Sequence, residues 1–273
     1  MRILVSHPGR YGDLLWALPT LRALAHSYEE QVDLLLSPAY SSESFRRLLS
    51  CQPYIGEVLV AEDWAIQESA PITPREPPSW PTRYDRAIHL AYEGWPSLPL
   101  PYEIYGLAEK QTPVLKWPFD LDVPWIAPPY PLPATQIALG FSDEHYELKT
   151  GLFWLLRQHF IPDVMEDSSH VLVNLSGGAR WQGHSLDADW ETAAAWIATC
   201  GVFVGCCSAL HVLACALGKP VILVEPASAR HNDVFYPYGK TGRVELLLGT
   251  DGQPTFDSRH LIDAIEARLK VAT

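Results

Sequence analysis

Short apolar runs alternate with helix-patterned segments along most of this chain, and that alternation leaves few folds open. Residues 2–6 (RILVS) are apolar; after a turn, Leu14, Leu15, Leu18, Leu21 and Ala25 recur at helical spacing. VDLLL (32–36), EVLVA (57–61) and RAIHLA (86–91) are further strand candidates, and SESFRRLLS is a helix candidate between the first two. A second series runs through TQIALGFS (135–142), helix-like GLFWLLRQHF, strand-like HVLVNLSGG, DWETAAAWIAT, GVFVG, SALHVLACALG and KPVILVEP. Strands that alternate with helices predict a parallel sheet covered on both faces. The closing segment SRHLIDAIEARLKVAT carries Leu261, Ile262, Ile265 and Leu269 at helical spacing and predicts a final helix packed on the body.

Between the two series, from Trp64 to Pro133, proline is dense and Trp64, Trp80, Trp95, Trp117 and Trp125 are interspersed with tyrosines. Proline lacks an N–H and fixes its own φ, so this stretch is expected to form ordered loops. PPYPLP (128–133) reads as a hinge. The expected domains are therefore 1–133 and 134–273, each Rossmann-like. Ligands of such sheets bind at the carboxyl ends of the strands, which predicts a central cleft between the two halves.

With 273 residues, 48% of them hydrophobic, the chain can bury a large core. Its net charge of −12 and pI near 5.2 disfavour nucleic acid and anionic membrane surfaces as partners. SHPGRYGD, after the first strand, contains no G-x-G-x-x-G, which disfavours a nicotinamide oxidoreductase. There is no integral membrane segment and no signal-like start, so a cytoplasmic location is expected. Five cysteines, at 51, 200, 206, 207 and 215, make a poor disulfide framework, and reduced thiols are expected.

Several residues carry possible chemistry. Asp13 follows a glycine-containing turn at the start of the first helix; it is a candidate general base and equally a helix cap. A carboxylate beside a helix amino terminus has a lowered pKa, so burial by a bound acceptor is expected to be needed to raise it. NLSGGAR (174–180) ends a strand with Gly177 and Gly178, where backbone N–H groups can approach an anion, with Arg180 beside them. Lys149, Ser208, His211 and Arg230 complete a cationic and dipolar set able to hold a diphosphate without a metal. Cys207, His211 and Cys215 have i, i+4, i+8 spacing, but the outer pair on one helix would stand about 12 Å apart, too far to share an ion. Packing of small buried cysteines is the expectation, with no metal site and no cofactor. The aromatics of 64–130, Trp95 and Tyr102 among them, suit stacking on sugar faces and equally suit a core for a loop-rich region.

RILVSHPGRYGDLLWALPTLRALA resembles the opening of the heptosyltransferase-like glycosyltransferases (family 9, GT-B fold), in which a Gly-Asp turn leads into a helix with an internal proline. TCGVFVGCCSALHVLACALGKPVILVEP resembles the late motif of the same family, D-S-G-x-x-H followed by a small-residue helix, L-G-K-P and a strand; Cys206-Cys207-Ser208 stands here in place of D-S-G. The resemblance implies an α/β protein of GT-B type that transfers a sugar from a nucleotide-activated donor to a glycan or other hydroxyl. It implies Asp13 as general base, with Gly12 and Arg10 of the same turn and Trp95 and Tyr102 at the acceptor. It implies donor contacts from Lys149, Gly177, Gly178, Arg180, Cys207, Ser208, Ala209, His211 and Glu225, with a nucleotide-diphosphate sugar as co-substrate. Heptose transfer to a lipopolysaccharide core is the family default. A modified nucleobase in DNA is an alternative acceptor, and a catalytically inactive nucleotide- or sugar-binding protein is the alternative function.

Overall fold

The computed structural model describes residues 1–61, 64, 83–91, 100–112, 115, 121, 123–132, 134–140, 155, 159, 172–174, 189–206, 208–225, 244–248 and 258–272. They fall into two compact units, one holding the described residues up to Ala127 and the other those from Pro128 onward.

In the first unit the order is β1 (Ile3–Ser6), α1 (Tyr11–Tyr28), β2 (Val32–Leu36), α2 (Glu43–Ser50), β3 (Ile55–Val60), β4 (Arg86–His89) and α3 (Leu100–Gln111). The four strands pair in parallel in the order β3-β2-β1-β4. β1 and β2 are buried along their whole length, and apart from Ser6 and Asp33 their residues are apolar. Leu4, Leu35, Ala61 and Trp64 form one core cluster, with Leu59 and Tyr84 packed against it.

Helix α1 contains Pro19, which has no N–H to give the carbonyl four residues earlier, that of Leu15. The indole Nε1–H of Trp125 donates to the Leu15 oxygen instead, at 3.1 Å. Trp125 is 2% exposed and its ring lies 5.7 Å from that of Trp16. This tryptophan of the proline-rich stretch is thus structural. The helix ends where Glu29 adopts φ 56°, with Glu29 N–H donating to the His26 oxygen and Glu30 N–H to the Ala25 oxygen.

Within 64–133, expected to be mostly ordered loops apart from the strand at 86–91, α3 adds a helix of regular structure. Pro101 falls in the first turn, where its missing N–H has no intrahelical partner to lose. Leu100, Ile104 and Ala108 bury one stripe of this helix. Gln111 then both accepts from the His89 N–H (2.9 Å) and donates to the His89 oxygen (2.7 Å), pairing the outer edge of β4 as a further strand would.

The second unit contains β5 (Thr135–Gly140), β6 (Leu172–Asn174), α4 (Trp190–Thr199), β7 (Cys200–Gly205), α5 (Ala209–Ala216), β8 (Val221–Glu225), β9 (Val244–Leu248) and α6 (Ser258–Ala272). Its sheet is also parallel, in the order β6-β5-β7-β8-β9. Strand β9 adds to the elements expected from sequence. Leu261, Ala264 and Ile265 of α6 pack on Ile137, Leu139, Val202, Val204, Cys206, Ile222 and Val224, as the spacing of the final segment predicts. Tyr130 of the proline-rich segment bonds Thr192 of α4 through their hydroxyls (3.1 Å), so residues from 128 group with this unit. Among the described residues no helix is long and apolar enough to cross a membrane.

Candidate functional site

In a parallel sheet whose strand order reverses, the crevice at the carboxyl ends of the two strands flanking the reversal is the usual ligand position. In the first unit those strands are β1 and β4, and the residues there are Ser6, His7 and His89. Ser6 and His89 face each other in register, with the Ser6 hydroxyl 2.6 Å from His89 Nδ1. The Trp64 ring lies 5.8 Å from the His89 ring.

The turn after β1 is built from residue types that leave it little freedom. His7 precedes a proline, which favours extended backbone and carries the strand direction onward. Its side chain is fully buried and its Nδ1 accepts the Gly9 N–H at 2.9 Å. A Cβ at Gly9 would lie 2.4 Å from His7 Cε1 and 2.5 Å from Asp13 Cβ, so only glycine fits between the two side chains. Arg10, exposed, occupies the cap position of α1 with extended ψ, and its N–H donates to Asp13 Oδ2 at 2.9 Å. Arginine has no acceptor to return the bond, so half of a capping box is present. Gly12 is half-buried in the first turn of α1, and Tyr11 sets its ring edge-on to Tyr40 (5.3 Å) and Phe45 (4.8 Å).

Asp13 is therefore a cap, and it is more than a cap. Its carboxyl is pushed up to about 6, chiefly by burial, against the Arg10 N–H bond and the Arg10 charge, which lower it. The expectation that an acceptor must supply the burial is corrected: the folded chain raises the Asp13 pKa without one. Oδ1 carries none of the hydrogen bonds described for Asp13. A half-buried carboxylate with a pKa near 6 and one oxygen available is suited to take a proton near neutral pH. His7, by contrast, is held neutral, its pKa lowered to about 3 by burial and by the charge of His89.

In the second unit the order reverses between β5 and β7, whose last residues Gly140 and Gly205 pair in register. A Cβ on Gly205 would meet the Gly140 oxygen at 2.4 Å, and one on Gly140 would meet Phe203 Cζ at 2.4 Å. Glycine at both positions lets the strand ends close up. Cys206 N–H then donates to the Gly140 oxygen at 3.3 Å, and the chain turns into α5 at Ser208.

His211 does not present its ring to solvent. It is 2% exposed, and its Nδ1 accepts the Ser208 N–H at 2.9 Å, closing the amino end of α5. Burial lowers its pKa to about 3. The Ser208 hydroxyl is buried, and no hydrogen-bond partner for it is found among the described residues. Ala209 opens the helix and is half-buried. Cys206 is 1% exposed and belongs to the apolar core, and Cys215 is 5% exposed. Helix α5 starts at Ala209 and carries His211 and Cys215. Among the described residues no group of three or more His, Cys, Asp or Glu is placed to hold a metal ion.

The structure thus brings Arg10, Gly12 and Asp13 together in one turn, and Ser208, Ala209 and His211 in another. Tyr102 is half-buried in the first turn of α3, a different element from the Asp13 turn. Glu225 ends β8, and only its backbone is described. Trp95, Lys149, Gly177, Gly178, Arg180, Cys207 and Arg230 lie outside the described residues. Sequence reasoning missed His7 and His89. The signal available was a histidine directly after the first run predicted to be a strand and another in the second half of RAIHLA, toward the end where such sheets bind ligands.

No protein-family model matches the sequence, and no curated protein matches it. Solved structures do. The chain is similar to E. coli heptosyltransferase WaaC with ADP-2-deoxy-2-fluoro heptose, at 15% identity and TM-score 0.63, over 98% of this chain and 99% of that one. It is similar to the family 9 glycosyl transferase of Veillonella parvula, at 13% identity and TM-score 0.68, over 99% and 97%. It is also similar to E. coli ADP-heptose lps heptosyltransferase II, at 15% identity and TM-score 0.56, over 99% of each chain. The chain has the GT-B fold of the heptosyltransferases. At these identities the likeness is one of fold, and the GT-B architecture expected from the two motifs is present in the two parallel sheets.

Proposed function

We propose that this GT-B protein is a metal-independent glycosyltransferase that moves a sugar from a nucleoside-diphosphate donor to a hydroxyl, with Asp13 as general base. The observation that carries the reading is the Asp13 carboxylate: at the switch point of its sheet, half-buried, with a pKa near 6 and Oδ1 available. Asp13 Oδ1 takes the hydroxyl proton as the acceptor oxygen bonds to the anomeric carbon. The bond from that carbon to the diphosphate oxygen breaks, and its electron pair leaves with the diphosphate.

The amino end of α5 suits the diphosphate, because helix N–H groups and the buried Ser208 hydroxyl can donate to it. In this reading His211 fixes the start of that helix by holding the Ser208 N–H, and Lys149, Gly177, Gly178 and Arg180 complete the donor contacts. The neighbours in fold include proteins bound to ADP and to an ADP-heptose analogue, so ADP-heptose is the first donor to try. The acceptor is a saccharide hydroxyl, and the protein works in the cytoplasm.

The test is release of nucleoside diphosphate from ADP-, UDP- and GDP-sugars with a panel of glycan acceptors, alongside thermal shifts with each nucleotide. Asp13→Asn is expected to lower kcat by about 100-fold or more while keeping the nucleotide-induced shift in Tm. Equal turnover by wild type and Asp13→Asn would remove Asp13 from the chemistry. The second reading, a nucleotide- or sugar-binding protein without turnover, is favoured by Cys206, which occupies the acidic position of the late motif and is buried in the core. It predicts a thermal shift with a nucleotide and no turnover by wild type.

A further inference from the structure

We propose that His7 is a positioning residue for Asp13: the δ-position acceptor of its side chain pins the turn that carries the carboxylate. For its kinetic readout the inference rests on Asp13 being the base, as proposed above.

The geometry is a short relay along the backbone. Pro8 has no N–H, so the Gly9 N–H is the first donor after His7, and His7 Nδ1 takes it at 2.9 Å. The next N–H, that of Arg10, points to Asp13 Oδ2 at 2.9 Å. Two consecutive donors are therefore fixed, one to the side chain before the turn and one to the side chain after it. The two side chains also flank Gly9 closely, since a Cβ on it would fall within 2.5 Å of carbons on both. The imidazole is in this way both the anchor of the turn and part of the wall beside the carboxylate stem.

Among the described residues, Arg10 and His89 are the charged and titratable groups that act on this turn's Asp13 and His7. Arg10 faces Asp13 from the turn itself. His89 faces His7 from β4, with its own Nδ1 on the Ser6 hydroxyl. His7 accepts at Nδ1 only as the neutral ring protonated at Nε2, so it adds no positive charge beside Asp13. An arginine or lysine in its place would fill the space and draw the carboxyl down.

Packing and hydrogen bonding can be separated at this site. In asparagine, Oδ1 occupies the branch position that Nδ1 occupies in histidine, and asparagine accepts the N–H two residues on in an Asx turn. Leucine fills the space without an acceptor, and phenylalanine keeps the planar ring without one. The experiment follows the Asp13 carboxyl carbon by NMR from pH 4 to 8 in wild type, His7→Asn, His7→Leu and His7→Phe. It is paired with kcat and KM for any nucleotide sugar that wild type turns over.

Asp13 is expected to titrate near the same pH in wild type and His7→Asn, and about half a unit or more lower in His7→Leu and His7→Phe, where the turn loosens and water reaches the carboxylate. Turnover is expected to fall about tenfold or more in the two apolar variants with KM changed less than about threefold, and to be rescued in His7→Asn. Wild-type titration and kcat in a folded apolar variant would overturn the proposal, as would equal damage in His7→Asn. Should neither apolar variant fold, His7→Asn decides: an unchanged Asp13 titration supports the acceptor role and a displaced one overturns it. The carboxyl titration needs no turnover, so a wild type that consumes no nucleotide sugar overturns the transferase reading alone.

Discussion

At the scale of single residues, Asp13 joins local structure to chemistry. Its folded pKa lies above the ordinary value of 3.8, so the folded state holds the proton more tightly and stability falls as pH rises from about 4 to about 6. Above that window the cost is fully present. Asp13→Asn keeps an oxygen for the Arg10 N–H and removes the charge. It is expected to be more stable than wild type by about 1–2 kcal/mol at pH 7.5 and no more stable at pH 4, checked by urea denaturation at both pH values. In a transferase the acid limb of kcat/KM should show a single ionisation near pH 6 that vanishes in the variant. Gly9→Ala sets a methyl against His7 and Asp13 together and is expected to cost about 1–3 kcal/mol, read from the shift in urea midpoint.

Elements in this chain are held by partners distant in sequence. Pro19 would leave the Leu15 carbonyl of α1 bare, and Trp125 covers it from 110 residues away. Trp125→Phe should cost about 1–3 kcal/mol, because a buried carbonyl loses its donor. In a Pro19→Ala background position 19 supplies its own N–H, and the same substitution should cost measurably less; a thermal or urea double-mutant cycle reads the coupling. At the other end of α1, Glu29 sits in the left-handed region without glycine's freedom. Glu29→Gly is expected to stabilise by about 0.5–1 kcal/mol, measured as a rise in urea midpoint. The same reasoning explains why the apolar part of α3 was not legible from sequence. Its prolines and aromatics matched the loop texture around it, while the burial of Ile104 and Ala108 and the pairing of Gln111 with β4 are tertiary facts.

For the molecule as a whole, among the described residues each unit encloses one histidine held neutral, His7 in the first and His211 in the second. Both have folded pKa values lowered to about 3. Between pH 3 and 6.5 the unfolded chain binds more protons at these positions, so stability is complete above about pH 6.5 and is lost as pH falls. Each contributes a slope of at most about 1.4 kcal/mol per pH unit, and together they outweigh the opposite trend of Asp13. Thermal melts should show Tm level from pH 7.5 to about 6.5 and falling from there to pH 4.5. His211→Asn should flatten the fall for the second unit, since asparagine accepts a backbone N–H without needing to stay deprotonated.

The two parallel sheets were legible in the sequence because a strand buried on both faces is largely apolar, and a helix packed on it repeats its apolar residues every three or four positions. Asp13 was legible for a related reason, as a charged residue placed where a strand turns into a helix. Sequence patterns could not decide what surrounds that carboxylate. Its raised pKa, the fit of Gly9 between two side chains, the turn of His211 inward to Ser208 and the reach of Trp125 to Leu15 all depend on residues that only folding brings together. Burial and hydrogen bonding are properties of neighbours in space, and in this protein the neighbours that tune the site come from different strands, turns and helices.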